Sequence, residues 1–293
     1  MLRFAHTPDT IKLGDLEVRR LGFGAMRLPG PGVWGEPADA ATAHAVLHKA
    51  IELGVNLIDT AWYYGPHVSN RLIAEALHPY PSDLVIATKL GAKRLPDKSW
   101  VPALMPDELR AGVDEDLRSL KLEQLPVVHL RWLDNPDVTF GESLDVLRDL
   151  QARGKIRHLA LSNVDVPQLE YALAKTPIVA VQNLFNLSGS KGPIHAAASP
   201  EALLAACEAR GIAFLPFFPL AIGALTSESG ALAAAAHRNN CTPAQLAIAW
   251  LLARSPVMLP IPGTGRVAHL VENIGAIHVA LDRATVVELA PNG

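Results

Sequence analysis

The stretch V-N-L-I-D-T-A-W-Y-Y-G, residues 55–65, decides how this chain is read. Val55, Leu57 and Ile58 make an apolar run suited to a buried strand, and the run stops abruptly at Asp59. Tyr63, Tyr64 and Gly65 follow at once. A strand that ends in a carboxylate, with a phenol close behind, is a place where a reacting group can be held. Partners for it are sought at the ends of the other strands.

The same order, an apolar run and then an amphipathic helix, recurs along the chain. Strands are predicted over residues 21–26, 55–60, 84–89, 126–130, 158–162, 178–182, 212–217 and 257–261. Helices are predicted over residues 40–53, 69–78, 106–120, 142–152, 166–174, 200–210, 242–254 and 267–274, with a further one over 283–289. Thr242 and Pro243 read as an N-cap and a first helical residue. Continuously apolar strands that alternate with helices imply a parallel sheet covered by crossovers. Eight such units predict a closed (β/α)8 TIM barrel, one domain over residues 1–293. Ahead of it, residues 10–20 alternate around Gly14-Asp15 and predict a short N-terminal hairpin at the bottom of the barrel.

Composition fits a packed domain. Hydrophobic residues make up 49% and charged ones 19%, which supplies a large core and rules out a disordered tail or linker. A net charge of −3 with no basic run argues against a nucleic-acid footprint. Cys207 and Cys241 have no metal-ligand spacing and suggest neither a disulfide framework nor a zinc site, so a reducing cytoplasm is the expected location. No stretch reads as a signal peptide or a membrane span; the most apolar one, residues 211–225, is short and holds Pro216 and Pro219.

In a barrel of this kind the site lies at the C-terminal ends of the strands. Asp59, Lys89 and His129 end strands two, three and four, with Tyr64 just beyond the first of them. This set suits proton donation to a carbonyl. A lysine ammonium beside a tyrosine favours the phenolate and is expected to lower its pKa, a carboxylate can hold the lysine, and a histidine can donate to the carbonyl oxygen. Taken singly, such a lysine is more often a structural ion pair and such a histidine more often a satisfied core residue; four of these groups at successive strand ends favour a site. A Schiff-base aldolase using Lys89 is the rival chemistry, and a nucleotide-binding sensor or regulatory subunit with vestigial activity is the rival outside catalysis.

None of these side chains can supply a hydride, so reduction implies a cofactor. Gly30-Pro31-Gly32-Val33-Trp34-Gly35 matches the spacing of a dinucleotide fingerprint, but Pro31 lacks an N–H and no helix follows, so it reads as a loop over the mouth. The better anion site is I-P-G-T-G-R, residues 261–266, where a Gly-Thr turn and Arg266 precede a helix. Ser162, Asn163 and Gln182 offer groups for a carboxamide, and Phe217 offers a ring.

These motifs together resemble the aldo-keto reductases. D-T-A-W-Y-Y-G (59–65), A-T-K-L-G (87–91), V-V-H-L (127–130), L-S-N (161–163), V-Q-N (181–183), I-P-G-T (261–264) and E-N (272–273) come in that family's order. The resemblance implies reduction of an aldehyde or ketone with NADPH, NADH being the alternative. Tyr64 would be the acid, Lys89 and Asp59 its tuning pair, and His129 the group that orients the carbonyl. It implies a cofactor cradle of Gly24, Ala25, Met26, Ser162, Asn163, Gln182, Phe217, Pro219, Leu220, Gly263, Thr264, Arg266, His269, Glu272 and Asn273. Gly265 and His269 stand where a further cation is common, and Phe217-Phe218-Pro219-Leu220 replaces a Y-S-P-L run. The chain ends at Gly293, so a long closing loop is not expected, and the substrate wall would be Met26, Trp34, Tyr63 and Trp132. The run from Gly22 to Gly35 looks most like a short bacterial branch acting on pyridoxal, which makes pyridoxal the implied substrate.

Overall fold

A computed structural model gives the structure and describes residues 9–188, 200–227 and 229–290. Strands β1 (Thr10–Leu13) and β2 (Leu16–Arg19) form the expected hairpin, turning at Gly14, whose φ of +67° suits glycine. Leu13 and Val18 are fully buried against Leu57, Val85, Val127, Ala180 and Leu215, so the hairpin closes the bottom of the barrel and completes its inner core.

The barrel strands are β3 (Phe23–Gly24), β4 (Leu57–Asp59) and β5 (Val85–Arg94), which turns back into the antiparallel β6 (Trp100–Ala103). They continue with β7 (Leu125–Arg131), β8 (Ile156–Ser162), β9 (Ile178–Leu184) and β10 (Ala213–Phe217), β6 aside, each parallel to the one before it. Residues 257–262 close the ring. Phe214 N–H donates to Val257 O at 2.8 Å, Leu259 N–H to Phe214 O at 2.8 Å, and Gly22 N–H to Pro260 O at 3.0 Å. This eighth segment is not the regular strand expected, because Pro260 and Pro262 have no N–H to give.

Around the barrel lie α1 (Ala40–Glu52), α2 (Val68–Leu77), α3 (Pro106–Ser119), α4 (Phe140–Ala152), α5 (Val166–Leu173) and α6 (Pro200–Glu208). The series ends with α7 (Ala231–Arg238), α8 (Pro243–Arg254), α9 (Val267–Gly275) and α10 (Arg283–Glu288). Several starts are fixed by side chains. Asp39 accepts from Ala41 and Thr42 N–H, and Thr139 with Glu142, Asp165 with Gln168, and Thr242 with Gln245 form capping boxes. A second, larger apolar cluster fills the space between helices and strands.

Three expectations need correction. The strand read over 21–26 is cut to Phe23–Gly24, and Ala25–Arg27 form a 3-10 turn. The strand read over 84–89 runs on to Arg94 and forms a hairpin, unread because its outer half is polar and contains Gly91. The segment read as a loop after Phe217 holds α7, whose A-L-A-A-A-A start has strong helix propensity but no amphipathic period.

Candidate active site

Parallel pairing brings the predicted residues together. Asp59 is the last residue of β4, Lys89 lies mid-strand in β5, and His129 in β7 is paired in register with Lys89. Tyr64 follows β4 on a short turn and is 4% exposed. Lys89 Nζ donates to Asp59 Oδ1 at 2.5 Å and to Thr60 O at 2.9 Å. The same ammonium lies 5.0 Å from the centre of the Tyr64 ring. Gln182 Nε2 donates to Asp59 Oδ2 at 2.8 Å. A buried ion pair is sustainable only when its remaining polar valences are met, and Gln182 and Thr60 meet them.

A further layer steadies these groups from behind. Buried Asp116 of α3 accepts from Asn70 Nδ2 at 2.6 Å and from Thr88 Oγ1 at 2.8 Å, and Thr60 Oγ1 donates to Asn70 Oδ1 at 2.9 Å. Thr60 and Thr88 are the residues whose carbonyls meet Lys89 and His129. Burial raises the Asp116 carboxyl to about 7, opposed by the hydrogen bonds from Thr88 and Asn70. This network escaped the sequence reading; its one visible signal is a threonine beside Asp59 and another beside Lys89.

Two electrostatic expectations change. Burial pushes the Tyr64 phenol well above its ordinary pKa, the Asp59 charge adds to this, and Arg131 opposes it. The expected lowering by Lys89 is not found, since that ammonium is committed to Asp59. Tyr64 is therefore a phenol, not a phenolate, at neutral pH. Burial also lowers His129 to about 4, so the ring is neutral. Its Nδ1 lies 3.3 Å from Thr88 O, and a carbonyl can only accept, so Nδ1 carries the proton. In that tautomer Nε2, which has no partner, carries a lone pair.

A cleft of about 970 Å³ opens beside this corner. It runs from Asp59, Tyr64 and Gln182 past Phe217, Phe218, Pro219 and Leu220 to Thr264, Arg266, His269, Glu272 and Asn273, with Pro29–Val33 as another wall. Arg266 caps the nine-residue α9 and is exposed, and its N–H donates to Thr264 Oγ1 at 3.1 Å. Gly24 and Met26 also line the cleft. Gly24 and Gly263 serve each other first: a Cβ on Gly263 would stand 2.3 Å from Gly24 O, and one on Gly24 2.6 Å from Ile261 O. What approaches the Gly24 backbone closely is thus the closing segment of the barrel.

The other predicted residues divide. Ala25 is buried in the 3-10 turn and its carbonyl accepts from Ser69 Oγ at 3.1 Å. Ser162 is fully buried with Oγ unpartnered. Asn163 is left-handed, φ +60°, and its Nδ2 donates to Trp132 O at 2.8 Å. Trp34, Tyr63 and Trp132 are not among the cleft-lining residues. Trp34 packs on Arg94 at 5.2 Å, Trp132 on Phe140 at 5.5 Å, and Tyr63 is fully buried edge-on to Tyr64 at 5.4 Å. A nicotinamide dinucleotide fits this site: Phe217 and Gln182, the register partner of the buried and unpaired Ser162, line the cleft, and so does Arg266 at the start of α9.

Comparison with known proteins agrees with this geometry. The model of the aldo/keto reductase family matches residues 20–290. Pyridoxine 4-dehydrogenase of Escherichia coli strain K12 is 46% identical over 273 residues, covering 92% of each chain. An uncharacterized oxidoreductase of Schizosaccharomyces pombe is 42% identical over 289 residues, covering 99% of this chain and 91% of its own. Among solved structures, a thermostable aldo-keto reductase in complex with the inhibitor epalrestat superimposes with a TM-score of 0.79 at 28% identity, over 96% of this chain and 98% of that one. An aldo-keto reductase of Klebsiella pneumoniae in complex with NADPH gives a TM-score of 0.78 at 23% identity, over 100% and 98%, and so shares the barrel fold. The chain belongs to the aldo/keto reductase family of oxidoreductases.

Proposed function

We propose that this protein reduces an aldehyde or ketone to an alcohol, with NADPH as the hydride source and Tyr64 as the proton donor. One observation supports this above the rest: a protonated, buried phenol that lines the cleft stands next to a carboxylate-held ammonium. NADPH, when bound, supplies the hydride; Phe217 and Ser162 would hold its nicotinamide end, and Thr264, Arg266 and Asn273 its phosphate end. Once Tyr64 gives up its proton, the phenolate gains a cation close by, so Lys89 acts at the moment charge appears rather than beforehand. Asp59 and Gln182 fix the ammonium in place. His129, neutral and with its buried Nε2 unpartnered, would accept a hydrogen bond from the hydroxyl that forms, which aligns the product alcohol and, in reverse, the alcohol substrate.

The aldolase reading needs a free amine on Lys89, and an ammonium clamped by a carboxylate and a carbonyl is the opposite state. Pyridoxal is the first substrate to test, because the relative at 46% identity bears a name that refers to pyridoxine. A panel of aldehydes including pyridoxal, assayed with NADPH and NADH, checks the reading: turnover with NADPH supports it, and no oxidation of either cofactor across the panel would refute it.

A further inference from the structure

Arg131 ends β7, two residues beyond His129 and so on the same side of the strand. It makes no salt bridge among the described residues, and its Nε is buried without a hydrogen-bond partner. The guanidinium lies 6.0 Å from the ring centre of cleft-lining Phe217, and it is the cation that acts on both Tyr63 and Tyr64. Opposite it in register is Ser162, whose Oγ is fully buried and unpartnered, and Tyr63 Oη is buried and unpartnered too. A partly buried cation among unmet polar atoms costs stability unless a counter-charge arrives.

A counter-charge carried by the reacting molecule would meet this need. The phosphate end of the cleft belongs to the closing segment and α9, the eighth position in the ring, whereas β7 is the fourth and stands across the barrel. Arg131 is not itself among the cleft-lining residues, but it projects from the same side of β7 as His129, whose register partner Lys89 lies 5.0 Å from the centre of the Tyr64 ring, so an anion held at Arg131 would lie toward the proton end. We propose that Arg131 is a specificity residue that binds an anionic oxygen carried close to the reacting carbonyl, so that the preferred substrates are aldehydes with an ortho-oxido or ortho-carboxylate group. This rests on the reductase reading above and narrows its substrate class. The guanidinium suits the task, since it stays charged and can meet an oxygen with two N–H groups.

Two aldehydes separate the roles. Pyridoxal carries a readily ionised hydroxyl ortho to its aldehyde, and pyridine-4-carboxaldehyde has none. Arg131→Gln is expected to lower kcat/KM for pyridoxal by about 10- to 100-fold, the range of a lost charged hydrogen bond, and that for pyridine-4-carboxaldehyde by less than about 3-fold. Arg131→Lys should recover part of the loss for pyridoxal only. Equal losses on both aldehydes, or a raised KM for NADPH with no change in aldehyde preference, would overturn the assignment. Should the wild type reduce no aldehyde of the wider panel either, the reductase reading fails separately. Calorimetric titration of benzoate into the NADP-loaded protein then decides: binding lost in Arg131→Gln supports the anion site, and equal or absent binding in both proteins rejects it.

Discussion

The two ends of the cleft are built in opposite ways. At the proton end, Asp59, Lys89, His129 and Gln182 project from strands of one continuous parallel ladder and are almost fully buried, with Asp59 held by Lys89 and Gln182 and His129 by the carbonyl of Thr88. At the anion end, the chain crosses the barrel seam on prolines and glycines, and Arg266 and His269 are exposed at the start of a helix. The first end is made of side chains locked before any ligand arrives; the second offers backbone groups and a solvated cation. The contrast implies that chemistry is sensitive to single side-chain atoms, while cofactor capture is spread over many weak contacts.

The largest effect should come from breaking the locked end. Lys89→Met leaves Asp59 buried without its counter-charge, so denaturant unfolding should show a loss of about 3–5 kcal/mol together with loss of turnover. Retained stability would mean that the pair is not the clamp described. Next comes the seam. Gly263→Ala would place a Cβ 2.3 Å from Gly24 O, backbone that cannot rotate away, and thermal unfolding should report a cost of about 1–3 kcal/mol.

A pH experiment probes the same contrast from the histidine. His129 has a folded pKa of about 4, below its ordinary value of about 6.5. The unfolded chain therefore binds the extra proton first. Stability tied to the neutral ring is complete above about pH 6.5 and is lost as pH falls through about 4. Asn at this position can still donate to Thr88 O but does not titrate, so the stability of the wild type relative to His129→Asn should drop by about 3 kcal/mol across that window. A constant difference would show that the ring is not held neutral. The smallest effect belongs to the solvated end: Arg266→Ala should raise KM for NADPH by about 3- to 10-fold, less at high salt, and leave KM for NADH nearly unchanged.

The same contrast explains what could be read from the sequence. Asp59, Lys89 and His129 announced themselves because each interrupts an apolar run, and parallel pairing in sequence order then makes them neighbours. Their charge states were not legible, since these depend on burial and on whether Lys89 spends its charge on Asp59 or on Tyr64. The eighth strand was legible as an apolar run, but Pro260 and Pro262 withhold the donors that would make it regular. Arg131 passed unread because an arginine at a strand end is ordinarily solvated, and only the register with Ser162 and the ring of Phe217 reveal what surrounds it. Trp34 and Trp132 are pocket walls only by what the resemblance implies, whereas the fold packs them against Arg94 and Phe140.

The central claim is that Tyr64 delivers the proton and that the rest of the locked corner serves it. Its most direct test is Tyr64→Phe, measured as kcat/KM for an aldehyde that the wild type reduces, beside the fluorescence-detected affinity for NADPH. A loss of at least about 100-fold in kcat/KM, with NADPH affinity within about 3-fold of wild type, is the predicted result. Turnover close to wild type with the cofactor still bound would contradict the account.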